Sequence, residues 1–446
     1  MSRTSDPLLE SVMTPELIAD GLECDAYHLG LSAFLWGYPL VRMERVCREY
    51  TDVPEPLPAS SYRAPLNRIG WATRLATPAS RDMPTANYDT LYMSAVVDLD
   101  RPCVFTVPDV GDRYYVVNVF NMYQELQHYI GRRTTGTKPG RYVIVPPHWT
   151  GDVPSDAVRL DVTTGRVWLW GRFHVRDGED LMLVHDLQKR FTLDAASTPE
   201  TRLPALPDIE GDELGFFTHL GAAMRENPIY PADAALVAQY ERIGLTTDGF
   251  QPDRLTDRQR HALVRALNDG PAAAQAGFAS TAQNRNGWTW VPGMDAFGFD
   301  YPRRAVVAGP YLGGNGEREA VYPGGFTDDH GRPLTGEHAY RVRFAGSPPV
   351  DAFWSLTLYR AADKMLVENE LDRYKIGSDT SGLVHGSDGT LDIVIQHARP
   401  AAGTANWLPA PAEPFYLILR LYQPTEAAFD GTWPLPSITR VGRPTP

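Results

Sequence analysis

The chain has 446 residues, 43% hydrophobic and 22% charged, an ordinary globular balance with core enough to fold without a disulfide or metal staple. Asp and Glu outnumber Lys and Arg by 55 to 42, a net charge of −13 with no basic block to break it, which excludes nucleic acid and anionic lipid as partners. The length predicts two or three domains.

The first residues, MSRTSDPLLESVM, lack a basic start followed by an apolar core, and the longest apolar stretch, Leu29 to Val41, is too short and interrupted to span a bilayer. A cytoplasmic protein with no membrane span is expected. Thr14-Pro15-Glu16 supplies an N-cap, a first-turn proline and an early acid, and Ala26, Leu29, Ala33 and Trp36 share one helical face. Gly37 and Pro39 are expected to end or kink that helix, with Leu40 to Glu49 forming a second. A Pro-rich connection runs from Asp52 to Ser60.

From Asn87 to Trp170 the texture is that of strands. Leu91–Leu99, Val104–Val107, Tyr114–Asn121, Tyr142–Val145 and Val167–Trp170 are β-branched and aromatic and are separated by Pro, Gly and Asp turns. Between Gly178 and Gly287, helical spacing recurs at Leu181–Phe191, Glu213–Arg225, Ala232–Ile243 and Thr256–Asn268, the last opened by a Thr256-x-x-Gln259 capping box. Ala305–Leu312 reads as a further buried helix. Strands return at His338–Phe344, Ala352–Tyr359, Leu391–Gln396 and Phe415–Tyr422. The fold class expected is α+β, mainly β, with two antiparallel sandwich or jelly-roll-like domains. N-terminal helices cover 1–60, a first β domain 61–177, a helical bridge 178–300 and a second β domain 301–446.

Familiar catalytic motifs are absent: no GxGxxG, P-loop, HExxH or GxSxG. The eleven histidines are scattered, and Cys24, Cys47 and Cys103 form neither a CxxC pair nor a zinc spacing, so they read as buried structural thiols. No metal and no cofactor are expected. Arg81 to Tyr92 is dense in polar groups yet runs into an apolar strand. A carboxylate there, Asp89, has a raised pKa unless paired, which suits a general acid or base; the plainer reading is that it fixes the turn. Asn87, Tyr92 and Asn118 are its candidate helpers.

Tyr114 to Asn121 is apolar on both faces, which buries Asn118 and Asn121 as amides that must be hydrogen-bonded or bind something polar. Tyr123 and His128 follow closely. Arg132, in a Gly-flanked turn, and Arg373 are candidates to hold an anionic group. Trp36, Tyr38, Trp354, Tyr374, Asn406 and Trp407 complete a candidate aromatic pocket. On Ala352–Tyr359, Trp354, Leu356 and Leu358 make an apolar face. Ser355 and Thr357, with Phe353 and Tyr359, make the other, which lines a wet cavity or meets solvent.

Several long strings resemble a known bacterial family. Leu35 to Leu40 (LWGYPL), Arg81 to Tyr92, Arg113-Tyr114-Tyr115, Tyr129 to Thr134 (YIGRRT), Val167-Trp168-Leu169 and Gly171-Arg172 resemble the domain of unknown function 1254. Ala320-Val321-Tyr322, Ala352 to Tyr359 (AFWSLTLY), Arg373-Tyr374, Asn406 to Pro411 (NWLPAP) and Leu419 to Tyr422 (LRLY) resemble its companion, the domain of unknown function 1214. The resemblance implies two β-rich domains with helices between, and many similar proteins look exported. It brings no activity and no catalytic residue.

The residues favour a metal-independent hydrolase or lyase using acid–base chemistry on a small, partly apolar organic molecule. The alternative is a non-catalytic binding protein for a glycan, lipid or secondary metabolite. A homo-oligomer built through β edges is a third reading.

Overall fold

The computed structural model describes residues 8, 11–57, 62–81, 84–195, 202–430 and 432–442. The first element, α1 (Pro15–Thr51), starts where the sequence puts its cap: the Thr14 hydroxyl accepts from Leu17 N at 3.2 Å. It does not end at Gly37-Pro39 but runs on as one 37-residue helix with Pro39 inside. An interior proline costs about 3 kcal/mol, and burial of Trp36, Leu40, Val41 and Met43 around it outweighs that. Gly37 is not a stop. A Cβ there would meet Leu220 Cδ1 at 2.5 Å, so the glycine lets another helix close on α1.

The first β domain is built from β1 (Gly70–Trp71), β2 (Thr90–Asp98), β3 (Cys103–Val107), β4 (Tyr115–Phe120), β5 (Leu126–Gly131), β6 (Gly140–Val145), β7 (Val158–Asp161), β8 (Arg166–His174) and β9 (Thr192–Asp194), with α2 (Asp180–Gln188) between the last two. Its strands form two sheets, β1-β2-β8-β4-β5 and β7-β6-β3-β9. Pairing is antiparallel except for β6 with β7 at an edge. The alternate residues Leu91, Met93, Val117, Val119, Leu169 and Phe173 fill the core between the sheets.

The helical middle holds α3 (Gly215–Glu226), α4 (Ala234–Ala238) and α5 (Asp257–Ala279), with a hairpin of β10 (Leu245–Thr246) and β11 (Gly249–Phe250). The expected helix Ala232–Ile243 is broken into short helical and 3₁₀ pieces ended by Gly244 at φ 75°. The capping box of Thr256 and Gln259 is formed at the head of α5. These helices and α1 make one layer on the outer face of the first large sheet, where Val96, Phe120 and Trp168 meet Trp36, Leu220 and Leu263.

After β12 (Gln283–Arg285), β13 (Trp288–Trp290) and α6 (Tyr301–Ala308), the second domain contains β14 (Ala320–Val321), β15 (Gly324–Gly325), β16 (Ala339–Phe344), β17 (Val350–Arg360), β18 (Lys375–Gly377), β19 (Leu391–Gln396), β20 (Trp407–Pro409), β21 (Phe415–Pro424) and β22 (Ile438–Gly442). One sheet runs β12-β13-β15-β21-β17-β18, with β14 also on β21; the other runs β20-β19-β16-β22. Trp354, Leu356, Leu417, Leu419, Ile393 and Ile395 fill the second core. The fold is therefore α+β with two open sandwiches, and no sheet closes into a barrel. Among the described residues, no helix is long and apolar enough to cross a membrane.

Cys47 and Cys103 are buried as expected, and burial pushes both thiols up to about 12, whereas Cys24 is exposed on α1. A thiol-specific reagent is therefore expected to titrate one cysteine in the native protein and three after unfolding; more than one native equivalent would refute this packing. Gly37→Val, forced against the buried Leu220, is expected to lose about 1–3 kcal/mol in urea unfolding.

Candidate functional site

Antiparallel sandwiches commonly leave their outer faces to water. Here the outer face of the first large sheet packs, beyond the helical layer, on the outer face of the second domain's β17-β21 sheet. Period-two alternation decides what lies between them. On the first sheet the outward residues are Thr90 and Tyr92 of β2, Trp170, Arg172 and His174 of β8, and Asn118 of β4, in the register Thr90–His174, Tyr92–Arg172 and Trp170–Asn118. On the second sheet they are Phe353, Ser355, Thr357 and Tyr359 of β17, Arg420 and Tyr422 of β21, and Lys375 of β18. Their inward neighbours are the leucines and tryptophan of the second core. The Ser355 face thus neither meets solvent nor stands alone.

At the centre Asp89 is fully buried. Its Oδ2 accepts the Ser355 hydroxyl at 2.6 Å and its Oδ1 accepts Lys375 Nζ at 2.5 Å. Burial alone would raise this carboxyl; the Lys375 ammonium, the Arg420 guanidinium and the two hydrogen bonds overcome it and hold Asp89 below the usual carboxylate range. The carboxylate is ionised at neutral pH, which fits a base and not an acid.

The preceding loop lies across the second sheet. The Asn87 amide donates to the Tyr422 hydroxyl, and Asn87 Oδ1 accepts Asp89 N at 2.7 Å, forming an Asx turn that aims Asp89. Tyr359 donates to Ala86 O at 2.6 Å, and Arg420 Nη2 donates to Thr85 O at 3.1 Å and to the Tyr359 hydroxyl at 2.8 Å. On the other side Arg172 donates to Gly313 O at 2.8 Å and, with Asn118 (2.7 Å), converges on Asn315 Oδ1. Asn315 in turn donates to Tyr322 OH at 2.7 Å. Tyr114 and Arg133 close one end, both bonded to Glu319. His174, stacked on Phe353 at 3.7 Å, holds Asp379 at another. Burial raises the phenols of Tyr114, Tyr322 and Tyr422, so they stay neutral donors. Burial also raises Glu319 against the pull of Arg133 and Tyr114.

Of the residues singled out in the sequence, the structure brings together Asp89, Asn87, Tyr92 and Asn118. The others lie apart. Trp36 is buried within the helical layer, its indole donating to Asp233 at 2.8 Å, and Tyr38 packs beside Phe34 and Gly309. Asn121 caps its own loop, accepting from the amides of Tyr123 and Glu125, and Tyr123 donates to Pro228 O. His128 bonds Asp161 O at 2.6 Å, and Arg132 clasps Gln423 and Asp351 O across the domain boundary. Trp354 points into the second core. Arg373 ties the carbonyls of Thr404, Ala405 and Trp407 together. Tyr374 donates to Asp372, Asn406 pairs with the Val384 backbone, and Trp407 donates to Gln396 O.

Lys375, Arg172, Arg420, Tyr322 and Asn315 were not among the sequence candidates, and Ser355 was singled out only as part of a face that lines a cavity or meets solvent. Two had a readable signal: Arg172 is the sole formal charge in VWLWGRFH, and Arg420 in FYLILRLYQ, each at a position that alternation assigns to the face opposite the core. Among the described residues, no three His, Cys, Asp or Glu side chains gather where they could hold a metal ion.

The molecule is thus an α+β protein of two sandwiches joined face to face through a buried polar layer. Residues 66–195 match DUF1254 and residues 319–426 match DUF1214, each described as a protein of unknown function. The chain belongs to the family that pairs these two domains. No curated protein matches it. Among solved structures it is similar to the VPA0106 protein of Vibrio parahaemolyticus, at 24% identity and TM-score 0.73 over 93% of this chain and 100% of that one, a likeness of fold. A putative uncharacterized protein of Burkholderia cenocepacia aligns at 12% identity and TM-score 0.45, over 96% of each chain.

Asp89→Asn leaves Lys375 facing a neutral amide inside the interface and is expected to cost about 3–5 kcal/mol. Adding Lys375→Met is expected to return part of that loss, read as a coupling energy in a double-mutant cycle by urea unfolding. The depressed Asp89 value stabilises the fold fully above about pH 4, where unfolded aspartates ionise, and that stability is lost as pH falls through the folded value. Glu319 works with the opposite sign, its contribution fading as pH rises through its raised value. Melting temperatures from acid to neutral pH should therefore show a steeper acid loss in wild type than in Asp89→Asn; equal slopes would sink the assignment.

Proposed function

We propose that this protein binds one small, partly apolar organic molecule in the layer between its two sandwiches. The supporting observation is that five of the thirteen buried polar atoms without a hydrogen-bond partner among the described residues lie in this layer: Thr90 Oγ1, Asn118 Oδ1, Trp170 Nε1, Thr357 Oγ1 and Arg420 Nη1. All five belong to the two facing sheet surfaces. An unsatisfied buried polar atom costs about 1–3 kcal/mol, so five in one layer are a large burden for a structural interface and a ready donor and acceptor set for a ligand. Aromatic rings set among them, Tyr92 stacked on Trp170 at 4.7 Å and Phe353 on Tyr422 at 4.2 Å, suit an apolar body.

A second reading, turnover of that molecule by a hydrolase or lyase, is favoured by the Ser355–Asp89–Lys375 contact, with the ionised Asp89 as base. Both of its oxygens already accept hydrogen bonds, so binding is the reading the geometry favours.

Native mass spectrometry of the purified protein, followed by a thermal-shift screen of small organic molecules, tests the binding reading. One retained molecule, or a raised melting temperature with a defined hit, is expected. Thr357→Val is expected to leave the free protein as stable or stabler, by up to about 1–3 kcal/mol, because it removes an orphaned hydroxyl, and to weaken the hit. A screen without hits, together with an unliganded protein, would overturn the proposal.

A further inference from the structure

The arginines of the layer specify the chemistry of what lies between the sandwiches. We propose that the ligand is an organic acid whose carboxylate is held between Arg172 and Arg420. This rests on the layer being a ligand site, and it goes further by fixing the ligand's charge.

Arg172 and Arg420 are 7% and 4% exposed. Among the described residues, neither forms an ion pair: Arg172 spends its hydrogen bonds on Gly313 O and Asn315, Arg420 on Thr85 O and the Tyr359 hydroxyl, and Arg420 Nη1 has no partner. The carboxylates nearby are already engaged. Asp89 is taken by Lys375 at 2.5 Å, Glu319 by Arg133 at 2.6 Å and Asp379 by His174 at 2.8 Å. Both guanidinium charges are therefore buried without an ion pair of their own; Asp89 and Glu319 act on them only through space and are bonded to Lys375 and Arg133. Ring faces return only part of the hydration lost: Arg172 lies 5.8 Å from the Tyr92 centroid, and Arg420 5.5 Å from that of Tyr359. The missing counter-charge is what a ligand anion supplies, and the planar guanidinium fork matches a carboxylate.

The groups around the arginines are donors as well. Arg172 and the Tyr322 hydroxyl share Asn315, Arg420 and Tyr422 stand at alternate positions on one face of β21, and the Tyr322 and Tyr422 rings lie 6.0 Å apart, which puts the two cations around one set of phenols that burial keeps protonated. A neutral ligand would satisfy the donors and leave both guanidinium groups without a direct ionic partner. A cation would add to them.

The test compares acids with their amides, which share a shape and differ in charge. Melting temperatures of wild type are measured with acetate, succinate and benzoate against acetamide, succinamide and benzamide, at one ionic strength set with chloride, and with inorganic phosphate. At least one acid is expected to stabilise the protein and its amide not. Arg172→Met and Arg420→Met are each expected to weaken that acid at least tenfold in titration calorimetry. If either variant fails to fold, Arg420→Lys, which keeps the charge and loses the fork, is expected to weaken it severalfold. Amides binding as tightly as their acids would remove the anion and leave the ligand site standing. Stabilisation by phosphate and by no carboxylate would overturn the choice of acid. A protein that responds to none of the probes would overturn this proposal and count against the ligand site itself.

Discussion

The contact between Asp89 and the pair Lys375 and Ser355 is the point from which the rest of the arrangement follows. Asp89 belongs to the entry of a strand in the first sandwich, its partners to the outer face of the second, and none of the three meets bulk water freely. The hydrogen bonds that Asp89 accepts from Ser355 and Lys375 are short-ranged and directional, so they hold the two sheets at one spacing and one register. Asn87 ties the same loop to Tyr422, and Thr85 and Ala86 receive Arg420 and Tyr359. The loop before β2 is a clasp whose backbone carbonyls and one carboxylate answer a row of donors on β17, β18 and β21.

Such a contact is poor value if its only task is to hold domains together. A well-packed apolar interface of the same area would be as strong or stronger, because desolvating charge offsets most of what ion pairing returns. The second domain does use apolar alternation, on its inner face, where Leu417, Leu419 and Leu421 build a core from the same strand that carries Arg420 and Tyr422 outward. The strand therefore carries two different patterns on its two faces, and the polar one is kept at a thermodynamic cost. Beside the fully paired aspartate stand two buried arginines that form no ion pair among the described residues, Arg420 acting on Asp89 only through space.

The sandwiches, the capping box at Thr256 and the two-faced burial of Tyr114 to Asn121 were legible because they rest on local periodicity. Alternation in Tyr114–Asn121 puts Val117 and Val119 on one face and Asn118 on the other, both buried as expected, and the structure makes the first the inner core and the second the outer layer. Of the expected end or kink at Gly37-Pro39, the end was misread because propensity was weighed without its neighbour: Gly37 is small so that Leu220 fits against it, and the helix continues through the proline. Asp89 was legible as a polar residue at the mouth of an apolar strand. Lys375 was not, because 286 residues separate the pair and nothing local to either marks the other. Arg373, two positions from Lys375, carried the family string instead, yet it holds only backbone carbonyls. The aromatic residues gathered from composition proved dispersed, since Trp36, Trp354 and Trp407 each serve a different core or loop. Composition counts rings; it does not place them.

The same alternation explains why the layer is cationic inside an acidic protein. Net charge is a property of the solvated surface, where carboxylates dominate and salt screens them within about 8–10 Å. A buried layer is outside that screening, so its charge is set by the few side chains that the strands deliver to it. Arg172 and Tyr92 are delivered as register partners on neighbouring strands, and so are Arg420 and Ser355. Moving either strand by one residue would exchange the arginine for a core residue, Phe173 or Leu419. Register, guanidinium placement and domain docking are thus one constraint: whatever fixes the two sheets face to face also fixes where two positive charges stand, and a ligand that answers those charges strengthens the docking that created its site.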